Sequence, residues 1–314
     1  MTLLLQYTLI FASVLMLVAL GGCFAERSGV INIGLEGIMV IGALGGALVM
    51  KFLPVEAGPF AMVALTTVVS ALFGMLFSLF LAVAAIHFKA DQTITGTAMN
   101  MLATAGATVA VKAMNTAASA GKDVSSDIIY TGAKDLLIVR LGDFEFNWFM
   151  LIAVVCLVIS YVALYKTRFG LRMRSCGEHP QASASVGINV LKMRYAGVLI
   201  SGLLGGLGGI VYITAGVSVW KFENGVAGFG FLAMAVMIFG AWHPIKIALA
   251  ALLFGFFRAL GNVYSGFDFM TALNIPSVVY NMLPYLISLL VLAFTSKKSR
   301  APKAEGIPYD HTTR

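Results

Sequence analysis

The sequence predicts an all-α, polytopic transmembrane helix bundle of about nine spans, some of them broken. Three observations carry this. Of the 314 residues, 60% are hydrophobic and only 11% charged, too little charge for a soluble surface. Apolar runs of about 20 residues, the length that crosses a bilayer, recur from one end to the other. Lys and Arg, which leave a net charge of +7, gather in short clusters between those runs and form no basic stripe of the kind that binds nucleic acid.

The spans fall at 3–22, 31–50, 59–86, 92–114, 148–165, 194–217, 226–242, 245–264 and 278–295. The first ends in Leu20-Gly21-Gly22-Cys23, but no Lys or Arg precedes it. A secretory signal wants a positive n-region, so the run reads as a span. The second opens with Glu26-Arg27-Ser28-Gly29-Val30-Ile31-Asn32-Ile33-Gly34-Leu35-Glu36-Gly37. Its glycines, Asn32 and Glu36 interrupt a clean span, as in a broken helix lining a cavity. Glu36 there could meet a solute or Arg258, or lie near the membrane surface without a partner. The third run is long enough to tilt or break. In the fourth, Thr93, Thr97, Asn100, Thr104 and Thr108 share an arc of about 80°. Threonine can satisfy itself on its own helix, so the stripe serves packing or path lining equally. Asn100 favours lining, because an amide cannot satisfy all its groups on its own helix.

The stretch 113–147 is polar and reads as an exposed loop or small subdomain. Ser201 to Gly209 carries overlapping small-xxx-small patterns that let helix backbones approach closely. Arg258 interrupts an apolar run, which costs about 2.5–3.5 kcal/mol unless it finds a partner or water, so it must face inward or snorkel. Residues 296–314 form a basic tail.

Orientation follows from the cations, because loops on the cytoplasmic side carry the excess. Placing the tail inside collects Arg27, Lys89, Lys166, Arg168, Arg172, Arg174, Lys192, Arg194 and Lys246 on that side. Lys51, Lys112, Lys122, Lys134, Arg140 and Lys221 remain opposite. The C-terminus is therefore expected to be cytoplasmic, 113–147 external, and 166–193 a cytoplasmic segment. Within that segment Pro180 suits a first helical turn, Gly187 a C-terminal stop, and the small residues between them a short exposed helix flanked by cations.

Several chemistries find no residues. Cys23, Cys156 and Cys176 lack a CxxC spacing, so neither a disulfide framework nor a metal site is expected. His87, His179, His243 and His311 form no HExxH pattern, and no Ser-His or paired-aspartate constellation lies within the spans. The chain is not read as an enzyme. No Gly-x4-Gly-Lys-Ser/Thr loop is present, so it is not expected to hydrolyse ATP.

Four stretches resemble the permeases of bacterial ABC importers of the branched-chain amino acid and simple-sugar class, especially the nucleoside-type subgroup. They are ERSGVINIGLEGIMVIGA at 26–43, ADQTITGTAMNMLA at 90–103, GLRMRSCGEHPQASASVGINV at 170–190 and GFGFLAMAVMIFGAWHP at 228–244. The resemblance implies a type II importer fold over residues 1–295 in a bacterial plasma membrane. It makes 176–188 a coupling helix, with Gly177, Glu178, His179, Pro180, Ala182, Ala184 and Gly187 meeting a cytoplasmic ATPase. No cofactor is expected on this chain, since ATP with Mg would sit on that partner. A second related permease, in a heterodimer, and an external substrate-binding protein complete the implied assembly. Thr93, Thr97, Asn100, Thr104, Asn32, Glu36, Phe229 and Phe231 would border the solute path. A nucleoside would stack on aromatic rings such as Phe229, Phe231, Tyr212 or Trp220 and bond to the threonine stripe with Asn100.

Two positions depart from the pattern: His179 stands where such permeases often have Asn, and Phe229 where a basic residue often sits between two glycines. Simple sugars, riboflavin-like compounds and branched-chain amino acids remain alternative cargoes. A self-contained gradient-driven carrier would want coupled intramembrane acids, for which only Glu36 and Arg258 are candidates.

Overall fold

A computed structural model of the chain describes residues 2–142, 144–215, 218–267, 276, 279–280, 282–287, 289 and 301–310. Of the ninth expected span, 278–295, only 279–280, 282–287 and 289 are among the described residues, and of the tail only 301–310.

Seven described helices are long and apolar enough to cross a membrane, and the chain is a multi-pass membrane protein. They are α1 (Thr2–Arg27), α2 (Leu35–Phe52), α3 (Gly58–Ala82, continued by a widened π turn Val83–His87), α4 (Gln92–Ala118), α6 (Trp148–Lys166), α9 (Val190–Thr214) and α11 (Pro244–Val263). Between them lie the short helices α5 (Thr131–Leu136), α7 (Arg168–Glu178), α8 (Pro180–Ser185) and α10 (Phe229–Phe239).

Two expectations change shape. The run 226–242 yields only the 11-residue helix α10, about 16 Å long and too short to span. Gly225, Ala227 and Gly228, all at positive φ, delay its start, and Ala241 and Trp242, also at positive φ, close it. The segment 176–188 is not one helix either, because His179, at φ −143° and ψ 83°, separates α7 from α8. Pro180 then opens α8 and Gly187, at φ +84°, follows its end.

The centre is α1, packed against α9 and α11, with α2 and α3 closing on α9. The glycines of α9 make this possible. A Cβ on Gly206 would stand 2.4 Å from the Ser70 carbonyl oxygen, and one on Gly42 only 2.2 Å from the Gly206 Cα. The backbones of α2, α3 and α9 therefore touch, as the small-residue pattern anticipated.

The cations separate to two ends. At one, Arg27 pairs with Glu178 at 3.8 Å, Lys89 with Asp310 at 2.7 Å, and Arg194 donates to the Ile307 carbonyl. At the other, Lys112 pairs with Glu223, Arg140 with Glu145, and Lys221 with Asp127. Strand β1 (Asp127–Ile129) pairs antiparallel with β4 (Val219–Lys221) at that second end, and β2 (Ile138–Leu141) with β3 (Phe144–Asn147). The stretch 113–147 is thus a small folded cap, tied to the end of α9 where the Tyr130 hydroxyl donates to the Ile213 carbonyl.

Candidate functional site

The helix α1 ends at Arg27, and seven irregular residues follow before α2 begins at Leu35. Irregular backbone at membrane depth needs partners for its polar groups, and α4 supplies them. The Gln92 side-chain oxygen accepts from the Ile31 N–H at 2.7 Å. Asn100 accepts from the Gly37 N–H at 2.8 Å and donates to the Ile33 carbonyl at 3.0 Å. Gly96 packs so closely on Gly34 that a Cβ would lie 2.8 Å from its nitrogen. Asn32 is buried and donates to the Ser201 hydroxyl at 2.8 Å.

Glu36, in the first turn of α2, reaches across to the start of α10. Its two oxygens accept from the Gly228 N–H at 2.7 Å and the Gly230 N–H at 2.6 Å. These donors belong to the first turn of α10, where helix N–H groups lack intrahelical partners and the dipole favours negative charge. Glu36 therefore clamps one discontinuous helix to another.

Arg258 lies over two aromatic rings, 5.3 Å from the Phe229 centroid and 5.8 Å from that of Phe11. Phe229 is fully buried and packs on Tyr212, with centroids 4.4 Å apart. Tyr285 donates to the Ala227 carbonyl at 3.1 Å, closing the turn before α10.

The expected path residues thus divide. Asn32 and Phe229 are buried in the scaffold, and Asn100 is committed to the α2 backbone. Thr93 and Thr97 are exposed and Thr104 half-buried, and Phe231 is 47% exposed beside the Glu36 clamp. Thr97 and Thr104 donate to carbonyls of their own helix. Their oxygens still have lone pairs for a solute. Thr93, Thr97 and Thr104 on α4 and Phe231 on α10 thus keep uncharged surface open. Gln92, Ser201 and Tyr285 were not anticipated. Gln92 shared the signal of Asn100, an amide on the α4 sequence, but only its cross-helix bond reveals the role.

At the end carrying the 166–193 segment, Gly177 and Pro180 are buried. Glu178 and Ala184 are half-buried, and His179, Ala182 and Gly187 are exposed. His179 makes no side-chain cap to α8. A groove of 550 Å³ runs along Leu171, Ser175, Ala182 and Val186, the last 75% exposed. Ala184 turns inward onto Cys176, Val190 and Tyr309.

A glycine-packed bundle of membrane-length helices interrupted by irregular backbone is the architecture of a polytopic membrane protein. The family described as branched-chain amino acid transport system, permease component, matches residues 4–293, and the chain belongs to it. It is 43% identical over 309 residues to the guanosine ABC transporter permease protein NupQ of Bacillus subtilis, covering 96% of this chain and 94% of that one. It is 39% identical over 307 residues to the nucleoside ABC transporter permease protein NupC of Lactococcus lactis, with coverage of 96% and 94%. A second nucleoside ABC transporter permease protein of that organism, NupB, is 24% identical over 312 residues, covering 96% and 82%.

Proposed function

We propose that this chain is the membrane-spanning subunit of an ABC importer for nucleosides. End-to-end similarity to guanosine and nucleoside permeases carries the reading. The accessible uncharged side chains of Thr97, Thr104 and Phe231 support it, being of the kinds that give hydroxyl contacts and stacking. The chain occupies a bacterial plasma membrane with its C-terminus cytoplasmic, in accord with the excess of cations at that end.

A separate ATPase docks on the exposed side of α8, with His179, Ala182 and Gly187 at the contact. A second, related permease faces the α4 stripe. That two nucleoside permease proteins of Lactococcus lactis both resemble this chain favours a heterodimer. An external binding protein delivers the solute to the end bearing 113–147.

Guanosine uptake in cells expressing the whole transporter tests the reading. Ala182→Arg, on the exposed side of α8, is expected to cut uptake about ten-fold or more, because a charge forced into a packed contact costs several kcal/mol. Membrane insertion and yield should stay unchanged. Undiminished uptake and ATPase association in that variant would remove α8 from the docking surface. Absence of nucleoside transport by the wild-type assembly, with sugar or amino acid uptake instead, would replace the cargo.

A further inference from the structure

An apolar groove of 420 Å³ runs between α1, α6 and α11. Its walls include Met16, Met150, Val154, Leu157, Ala248 and Leu252. On α6 the face bearing Val154 and Leu157 continues through Tyr161 and Tyr165, at helical spacing, to the end of the helix at Lys166. Helix α11, which bears Ala248, begins at Pro244, immediately after His243.

The groove thus runs towards a compact aromatic and cationic cluster. Tyr161 and Tyr165 stack with centroids 5.8 Å apart, and the His243 ring lies 4.8 Å from that of Tyr165. The Arg174 guanidinium sits 4.5 Å from the Tyr165 centroid. Lys246 lies one turn into α11 and is exposed. Among the described residues no ion pair takes Arg174 or Lys246. Two buried nitrogens of the cluster, Arg174 Nε and His243 Nδ1, have no hydrogen-bond partner. Of the acids at this end, Glu178 is taken by Arg27 and Asp310 by Lys89. Burial, reinforced by the charges of Lys246 and Arg27, holds His243 below the usual imidazole range.

We propose that this groove and cluster form a binding site for one anionic phospholipid. An acyl chain lies along Leu157, Val154 and Ala248, and the phosphate sits against Arg174, His243 and Lys246. The occupant follows from the combination. A dry groove facing the membrane suits a hydrocarbon chain, and unpaired cations at its end, flanked by tyrosines at the interfacial level, suit an anionic headgroup. About 12 Å of helix rise separates Leu157 from Tyr165, within the reach of a single chain below its headgroup. Neither α4 nor α8 contributes, so the site is independent of the solute path and of the proposed ATPase contact.

Native mass spectrometry of the purified transporter, titrated with phosphatidylglycerol and with phosphatidylcholine, tests the site. The wild type should prefer phosphatidylglycerol about ten-fold, and Arg174→Gln combined with Lys246→Gln should bring the two lipids to within about two-fold. Leu157→Trp, which fills the groove and leaves the cations in place, should weaken both lipids while the complex stays monodisperse. Lys246→Gln alone, at an exposed position, guards against a folding defect and should lose part of the preference.

Equal affinity of the wild type for both lipids would overturn the proposal. So would an unchanged preference in the double variant. Displacement of the lipid by inorganic phosphate would make the cluster a free-anion site and would equally overturn it.

Discussion

Glu36 is the residue on which the irregular centre depends. It accepts two N–H groups of the α10 start, and removing it leaves both without an acceptor, at about 1–3 kcal/mol each. Glu36→Ala should therefore lower the midpoint of thermal unfolding in detergent and reduce uptake together. Phe231→Ala, on the open face, should leave the midpoint nearly unchanged and act on uptake alone. Scanning fluorimetry alongside transport separates the two, and equal midpoints for wild type and Glu36→Ala would deny the clamp. In the same locality the fold lays the Arg258 guanidinium over the Phe229 ring.

Among the elements, the seam of α2, α3 and α9 tolerates no side chain where glycines cross. Gly42→Ala would drive a Cβ into the Gly206 backbone at 2.2 Å, and no flexible group is there to give way. That variant is expected to yield little folded protein. Gly106→Ala is the control, since nothing lies within 4 Å of the added carbon and alanine favours the helix by about 1 kcal/mol. Expression and size-exclusion profiles should separate them clearly. Helix α8 shows why exposure matters beside composition. Its small residues all looked like one smooth docking face, yet Ala184 packs on Cys176, Val190 and Tyr309, and Ala182 turns outward. A substitution at Ala184 tests packing as much as docking.

Across the whole molecule, residues 301–310 form a strap over the end that holds 166–193. The Ala304 N–H donates to the Gly177 carbonyl and the Gly306 N–H to the Gly29 carbonyl. The same strap pairs Asp310 with Lys89 and receives Arg194 at Ile307. It thus joins α7, the broken segment before α2 and the approach to α4. Burial raises the Glu305 carboxyl above its ordinary range, against the opposing effects of a hydrogen bond shared with Glu26 and the charge of Arg27. The neutral form is therefore the one the docked strap favours. Its contribution is complete below the ordinary glutamate range and is lost as pH rises through the raised value. Hydrogen exchange of 301–310, corrected for intrinsic pH dependence, should show protection declining with pH, and Glu305→Gln should flatten that decline. Identical pH profiles would exclude Glu305 as the cause.

Composition and periodicity alone determined that the chain crosses a membrane many times, because bilayer thickness and backbone hydrogen bonding leave few alternatives to a run of about 20 apolar residues. They also determined which loops share an end, since the cations segregate in sequence as they do in space. The glycine seam was legible for the same reason, as small-residue spacing maps directly onto one helix face. Only the tertiary structure decided the partners of Glu36, Asn100 and Gln92, because a polar side chain in a span can be satisfied by solute, by its own helix or by a neighbour's backbone, and spacing along one helix does not distinguish these. It also decided that 226–242 begins as irregular backbone and ends as a half-helix. An apolar run fixes how dry a segment must be, whereas where it coils depends on which neighbours can take its unpaired N–H and C=O groups.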